Sequence, residues 1–148
     1  MRIIVDADAT PSLKQIASIS KNNNIECHMF CDYSHTLNIE EAIIHYISEG
    51  GQAVDIAITN FINKGDILIT QDYGLATIAL SKNIGCINPN GIIYTNNNID
   101  NLLEQRYINL LNRRKKIHTK NIKKRTKQTN DLFLSNLQKL INDYKSQI

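Results

Sequence analysis

Two short runs, Ile3-Ile4-Val5 and Ile67-Leu68-Ile69, contain no polar side chain, and each stops at residues that carry hydroxyls or carboxylates. The first runs into Asp6-Ala7-Asp8 and the second into Thr70-Gln71-Asp72. A strand with one wet face alternates apolar and polar residues; an unbroken apolar run of strand length is what a strand covered on both faces requires. Between such runs the apolar period lengthens. Val54, Ala57, Ile58, Phe61 and Ile62 recur at helix spacing, as do Leu75, Ile78 and Ala79. The pattern predicts strands over 2–5, 25–31, 42–47, 67–70 and 84–87. Helices are expected from Thr10 as N-cap and Pro11 as first helical residue through Ser20, and over 54–62, 75–82, 98–112 and 129–144. Gly50-Gly51 breaks the third strand, and Asn88-Pro89-Asn90-Gly91 is a turn. Strands alternating with helices give an α/β fold: a central, mostly parallel sheet of four or five strands between two helical layers.

Composition and charge divide the chain. Its 148 residues are 42% hydrophobic and 21% charged, enough for one cored domain and unlike a disordered chain. Ile and Asn are over-represented, at 25 and 19 residues, so runs such as Asn22-Asn23-Asn24 carry little beyond loop and cap propensity. Nothing approaches the ~20 apolar residues of a membrane span. Cys27, Cys31 and Cys86 form no CxxC pair and are expected as reduced thiols of a cytosolic protein. Residues 1–105 hold 5 Lys/Arg against 12 Asp/Glu, whereas residues 106–148 hold 12 against 2. The expected organisation is an acidic α/β domain over 1–105 and, over 106–148, a basic arm and last helix packed on the same domain.

In open parallel sheets chemistry sits beyond the carboxyl ends of the strands. Asp6 and Asp8 follow the first strand, Asp72 follows the fourth, and Asp55 lies in the first turn of the helix after the third. Carboxylates brought together there repel, and a hard divalent cation relieves the repulsion. Sites of this kind serve metal-assisted phosphoester and phosphodiester cleavage. Asp6-Ala7-Asp8-Ala9-Thr10 also fits D-x-D-x-T, the opening motif of haloacid-dehalogenase-like phosphatases. The later parts of that pattern fit poorly, because Asp66 precedes its strand and only Asp72 follows it.

The same residues carry a second likeness. Asp6-Ala7-Asp8-Ala9-Thr10-Pro11, Gly51-Gln52-Ala53-Val54-Asp55, the block from Gly65 to Ala76, and Asn88-Pro89-Asn90-Gly91-Ile92-Ile93-Tyr94-Thr95 resemble, in order and spacing, the YaiI/YqxD family of uncharacterised bacterial proteins. The family resembles PIN-like domains, a three-layer α/β/α fold shared with Mg²⁺-dependent ribonucleases. The resemblance implies that Asp6, Asp8, Asp55 and Asp72 fall at or near positions where nuclease relatives hold metal. The chain departs from the family pattern at Thr10, where Cys is usual, which weakens the phosphatase reading.

Other signals are weaker. His28, His35, His45 and His118 share neither a helix face nor a metal spacing, and Cys27 and Cys31 are expected to bury on one strand face. From Arg106 to Lys127 ten Lys/Arg occur with no acid, including Arg113, Arg114, Lys115, Lys116 and Arg125. Such a block neutralises phosphates, and with only Tyr107 interleaved it offers no stacking on bases. The leading expectation is a Mg²⁺- or Mn²⁺-dependent ribonuclease or phosphodiesterase. Asp6, Asp8 and Asp72 would be direct or water-mediated ligands, and Asp55 would orient water. Thr10 and Thr70 would make supporting or substrate contacts, and Arg113 to Lys116 would bind RNA. A non-catalytic RNA-binding module is the rival, and a phosphatase the third reading.

Overall fold

The computed structural model describes residues 1–48, 52–115 and 125–147. Gly50, Gly51, Lys116, His118, Lys120, Lys123 and Lys124, which figure in the sequence reading, lie outside them. Among the described residues six strands form one sheet: β1 (Arg2–Asp6), β2 (Glu26–Asp32), β3 (Ile43–Ile47), β4 (Ile67–Ile69), β5 (Gly85–Ile87) and β6 (Ile93–Tyr94). Their order is β3-β2-β1-β4-β5-β6. The first five are parallel and β6 returns antiparallel on β5. The sheet thus has one strand more than the longest expectation. A two-residue strand is too short to show a period, and only the Asn88–Ile92 hairpin creates it. There the Asn88 side chain accepts from the amides of Asn90 and Ile92, both at 3.0 Å.

Among the described residues five α-helices cover the sheet: α1 (Leu13–Asn22), α2 (Ala53–Phe61), α3 (Tyr73–Ser81), α4 (Ile99–Arg114) and α5 (Lys127–Lys145). On one face Ile3, Val5, Cys27, Met29, Cys31, Ile67, Ile69 and Ile87 meet Ile16 and Ala17 of α1 and Phe133, Leu137, Leu140 and Ile141 of α5. On the other, Ile4, Phe30, Leu68 and Cys86 meet Ile58, Leu75, Ala76 and Ala79, with Ile99 of α4. The architecture is three-layered, and Cys27 and Cys31 share one face as their even spacing requires. All three cysteines are buried and unpaired. Among the described residues no helix is long and apolar enough to cross a membrane.

Three expectations need correction. First, Thr10 does not cap α1. Residues Ala7–Ala9 form a single 3-10 turn, and the Thr10 hydroxyl donates back to the Asp6 carbonyl at 2.8 Å. Ser12, at φ 63°, turns the chain into α1, and its own hydroxyl donates to Asn130 of α5. Second, the charge boundary at 105/106 is not a structural one, because it falls inside α4. Third, Arg125 is not free for phosphates. Its guanidinium donates to the Pro89 carbonyl and to Asn130 Oδ1 and lies 5.6 Å over the Phe133 ring, pinning the start of α5 to the β5–β6 turn.

Helix α5 is therefore part of the core. Phe133→Ala is expected to cost about 3–5 kcal/mol, whereas Tyr107→Ala, at a side chain 61% exposed on α4, should stay within about 0.5 kcal/mol. Urea unfolding of the two variants checks this. Similar midpoints would mean that α5 does not contribute to the core.

Candidate active site

The strand order reverses between β1 and β4: from β1 the chain winds out through β2 to β3, then returns to continue through β4, β5 and β6. A cleft opens at the carboxyl ends of strands at such a reversal. Val5 pairs with Ile69, so Asp6 and Thr70 leave the sheet side by side. The buried Thr70 hydroxyl donates to Asp6 Oδ2 at 3.0 Å and accepts from the Asp72 amide at 3.0 Å. Asp72 caps α3, its Oδ1 accepting from the Leu75 amide at 3.1 Å. Gln71 donates to the Ala9 carbonyl at 2.6 Å and ties the β4–α3 connection to the turn after β1. The Thr10 hydroxyl, spent on the Asp6 carbonyl, is a backbone anchor for that turn.

Charge at this edge is poorly compensated. Burial pushes the Asp6 carboxyl up to about 6; the Thr70 hydrogen bond opposes this, and the charges of Asp55, Asp8 and Asp72 add to it. Burial also raises the Asp55 carboxyl, helped by Asp72 beside it. Among the described residues, no Lys or Arg forms an ion pair with Asp6, Asp8, Asp55 or Asp72. The four carboxyl groups singled out from the sequence therefore do influence one another at one edge of the sheet.

They do not all close on one point. Among the described residues, the trio of metal-ligating atoms that lie within 4.8 Å of one another belongs to Asp8, Asp32 and His35, not to Asp6, Asp8 and Asp72. Asp8 is drawn toward β2: its Oδ2 accepts from the Asp32 amide at 3.2 Å and its Oδ1 lies 2.8 Å from His35 Nδ1. His35 Nδ1 is also 3.3 Å from Asp32. Hydrogen bonds from Ser34, with His35 nearby, hold the Asp32 carboxyl below its usual range. Asp32 is not among the residues expected from the sequence, and His35 is expected to share no metal spacing. Asp32 ends the second strand just as Asp6 ends the first, so the strand-end rule already contained that signal. His35 carried none, since only the fold of the β2–β3 connection brings it to Asp8.

Asp66 and the His28–His45 pair serve the structure. Asp66, 3% exposed, accepts from the Arg2 guanidinium at 2.7 Å and from the Asn63 amide at 2.9 Å, at the opposite end of the sheet. His28 and His45 pair across β2 and β3, Nδ1 to Nε2, at 2.9 Å. Of the basic residues, Arg113, Arg114 and Lys115 are exposed at the end of α4, and Lys116 lies outside the described residues. Arg106 reaches back toward the cleft, its guanidinium 5.5 Å over the ring of Tyr73, the neighbour of Asp72.

The donor set suits a hard divalent cation. Carboxylates lacking cationic partners, one of them pushed up to about 6, are chemically short of positive charge. Mg²⁺ needs only one or two of them, with waters completing its shell, so a tight trio is not required. The nitrogen of His35 adds a donor that Mn²⁺ tolerates better than Mg²⁺ does.

Comparison with known proteins agrees with this chain over its whole length. It is 43% identical over 145 residues to a UPF0178 protein of Clostridium tetani, covering 98% of this chain and 99% of that one. A UPF0178 protein of Clostridium kluyveri is 41% identical over 141 residues, covering 95% and 93% of the two chains. One of Lachnoclostridium phytofermentans is 40% identical over 149 residues, covering 99% and 100%. Among solved structures, a crystal structure of Rae1 (YacP) from Bacillus subtilis aligns over 100% of both chains with 13% identity and a TM-score of 0.41. The profile described as "Uncharacterized BCR, YaiI/YqxD family" matches residues 4–143, and the chain belongs to that family.

Proposed function

We propose that this protein is a divalent-metal-dependent phosphodiesterase acting on RNA. The observation that carries the reading is the uncompensated carboxylate edge at the strand reversal, where Asp6 sits among Asp8, Asp55 and Asp72 with its carboxyl pushed up to about 6. The PIN-like resemblance of the sequence points the same way. Asp6, Asp8 and Asp72 would hold Mg²⁺ or Mn²⁺, directly or through water, and the bound ion would supply Lewis-acid stabilisation of the phosphoryl oxygens and a more acidic water.

The chain's own residues supply the rest. Thr70 fixes Asp6 Oδ2 and the Asp72 amide at once, so the two acidic residues from β1 and the β4–α3 connection keep one spacing. Asp55, its carboxyl raised by burial and by the neighbouring Asp72, stands outside the three proposed ligands and takes the proton of the attacking water. The water oxygen bonds to phosphorus as the ester P–O bond breaks, and the leaving oxygen takes up a proton from solvent. RNA would repel an acidic edge, so the cations of α4 must bring it there. Arg106, next to Tyr73, marks the path from Arg113, Arg114 and Lys115 toward the cleft.

Three outcomes test this. The carboxylate edge should burden the metal-free fold. Folding raises the Asp6 carboxyl from 3.8 to about 6, so the penalty is absent below the lower value, grows between the two, and is complete above the higher. In EDTA, Asp6→Asn should therefore stabilise the protein by about 1–3 kcal/mol near pH ~7.5, with the gain vanishing by pH ~3.5. A gain of the same size at both pH values would show that the charge is not the cause.

Cleavage should separate from binding. Single-stranded RNA is cut with Mg²⁺ or Mn²⁺ and not in EDTA, and Asp72→Asn lowers the rate by about 100-fold or more while RNA is still bound. Binding with no metal-dependent cleavage across RNA and DNA substrates would favour a non-catalytic RNA-binding module. Turnover of a small phosphomonoester, with phosphate trapped on Asp6, would favour a phosphatase. Replacing Arg113, Arg114 and Lys115 by Gln should weaken binding evenly across sequences and reduce the salt slope by about one for each phosphate no longer neutralised. A sequence-selective weakening with an unchanged slope would rule out phosphate binding by these residues.

A further inference from the structure

Tyr33 immediately follows Asp32 at the end of β2, and its ring is 65% exposed. It lies nearly parallel to the ring of Tyr46 on the edge strand β3, at an interplanar angle of 10° and a centroid separation of 6.4 Å. Tyr46 is itself 37% exposed, but its hydroxyl is held. It accepts from the Leu37 amide at 3.1 Å and donates to the Leu37 carbonyl at 3.3 Å. The inner ring is thus fixed by the backbone of the β2–β3 connection. The outer ring rests against it and keeps most of its surface in water.

Among the described residues, neither ring belongs to the core. The apolar residues of β2 that build the two faces are Cys27, Met29, Phe30 and Cys31, and neither tyrosine is among the buried residues. Tyrosine, with an apolar face and a polar tip, is enriched where a surface makes contacts, and here two such rings are aligned side by side. Their position narrows the contact. The carboxylate of Asp32 is 3.3 Å from His35 Nδ1, which is 2.8 Å from Asp8 of the acidic edge. Tyr33 thus follows Asp32 on the β2 side of the sheet's carboxyl edge, whereas Arg106 of α4 meets Tyr73, the neighbour of Asp72, on the other side.

We infer that Tyr33, backed by Tyr46, is a stacking platform for an unpaired nucleobase of the strand whose phosphate enters the acidic edge; this rests on the phosphodiesterase reading above. Every base has a π-face, so a tyrosine platform accepts any base, provided it is not already stacked in a duplex. The substrate class is thereby single-stranded nucleic acid. Two elements divide the recognition: α4 meets the backbone charge and the β2–β3 edge meets the base. The expectation of no base stacking concerns the aromatics among the lysines and arginines, where only Tyr107 stands; Tyr33 lies elsewhere in the chain.

The test is binding of a labelled oligouridylate of about eight nucleotides and of its abasic analogue, measured by anisotropy in EDTA at low salt. Tyr33→Ala should weaken the oligouridylate by about 5- to 150-fold, leave the salt slope unchanged, and leave the abasic analogue bound as by the wild type. Tyr33→Phe should restore affinity. The chain has six tyrosines and no tryptophan, so base stacking is also read as partial quenching of tyrosine emission, which Tyr33→Phe should reduce. Equal affinity of wild type and Tyr33→Ala for the oligouridylate overturns the platform, as does equal weakening on both ligands. Failure of the wild type to bind either ligand is a different result, and it overturns the phosphodiesterase reading together with the platform.

Discussion

A parallel sheet buried on both faces can place ionisable groups only at its ends, and that constraint organises this molecule. The central strands β1, β4 and β5 are apolar throughout their interiors. At the amino ends Asp66 meets Arg2, whose guanidinium also donates to the Phe61 carbonyl at 2.8 Å and lies 4.1 Å over the Phe61 ring. At the carboxyl ends Asp6, Asp55 and Asp72 have no such partner among the described residues. One acid is neutralised and locks β1 to the start of β4; Asp6 and Asp55 are left with a desolvation cost. A fold rarely keeps uncompensated buried charge without a use for it.

The carboxyl edge has two electrostatic regimes side by side. Asp32 is held low by donors of its own loop, so it is ionised and already satisfied. Asp6 and Asp55 are held high by burial and by neighbouring carboxylates, so they are ionised only at a cost. Environments that push chemically identical groups apart in this way divide them into roles. The satisfied group is suited to holding a fixed charge near His35. The costly groups are suited to taking up a cation or a proton.

Much of this was legible in the sequence, and the reasons differ by element. Ile67-Leu68-Ile69 and the helix spacing of Val54 to Ile62 record burial directly, so β4 and α2 could be read from them. The approach of Asp6 to Asp72 followed from the strand-end rule without any knowledge of side chains. The start of α1 was not legible, because Thr10-Pro11 has the chemistry of a helix start while the Thr10 hydroxyl is used backward, on the end of β1. The role of Arg125 was hidden in a run of like residues, since a list of charges does not say which guanidinium finds a carbonyl. His35 and Tyr33 depend on the path of a ten-residue connection between parallel strands, and no period encodes that path.

That connection also explains why the site is asymmetric. Successive parallel strands normally need a crossover helix, and β1 to β2, β3 to β4 and β4 to β5 each have one. Between β2 and β3 the chain crosses without one, over residues 33–42. A helix there would bury its apolar stripe and carry polar groups away from the cleft. An irregular segment has no stripe to bury, so its residues satisfy themselves locally: Ser34 on Asp32, His35 on Asp8, Leu37 on Tyr46. Each of these contacts turns a side chain toward the carboxyl edge or stiffens one that lies beside it. Without a helix there, the β2 side of the carboxyl edge carries the His35 imidazole on Asp8, with the Tyr33–Tyr46 pair on the same connection and edge strand. The side covered by α3 and α4 presents a helix cap and arginine.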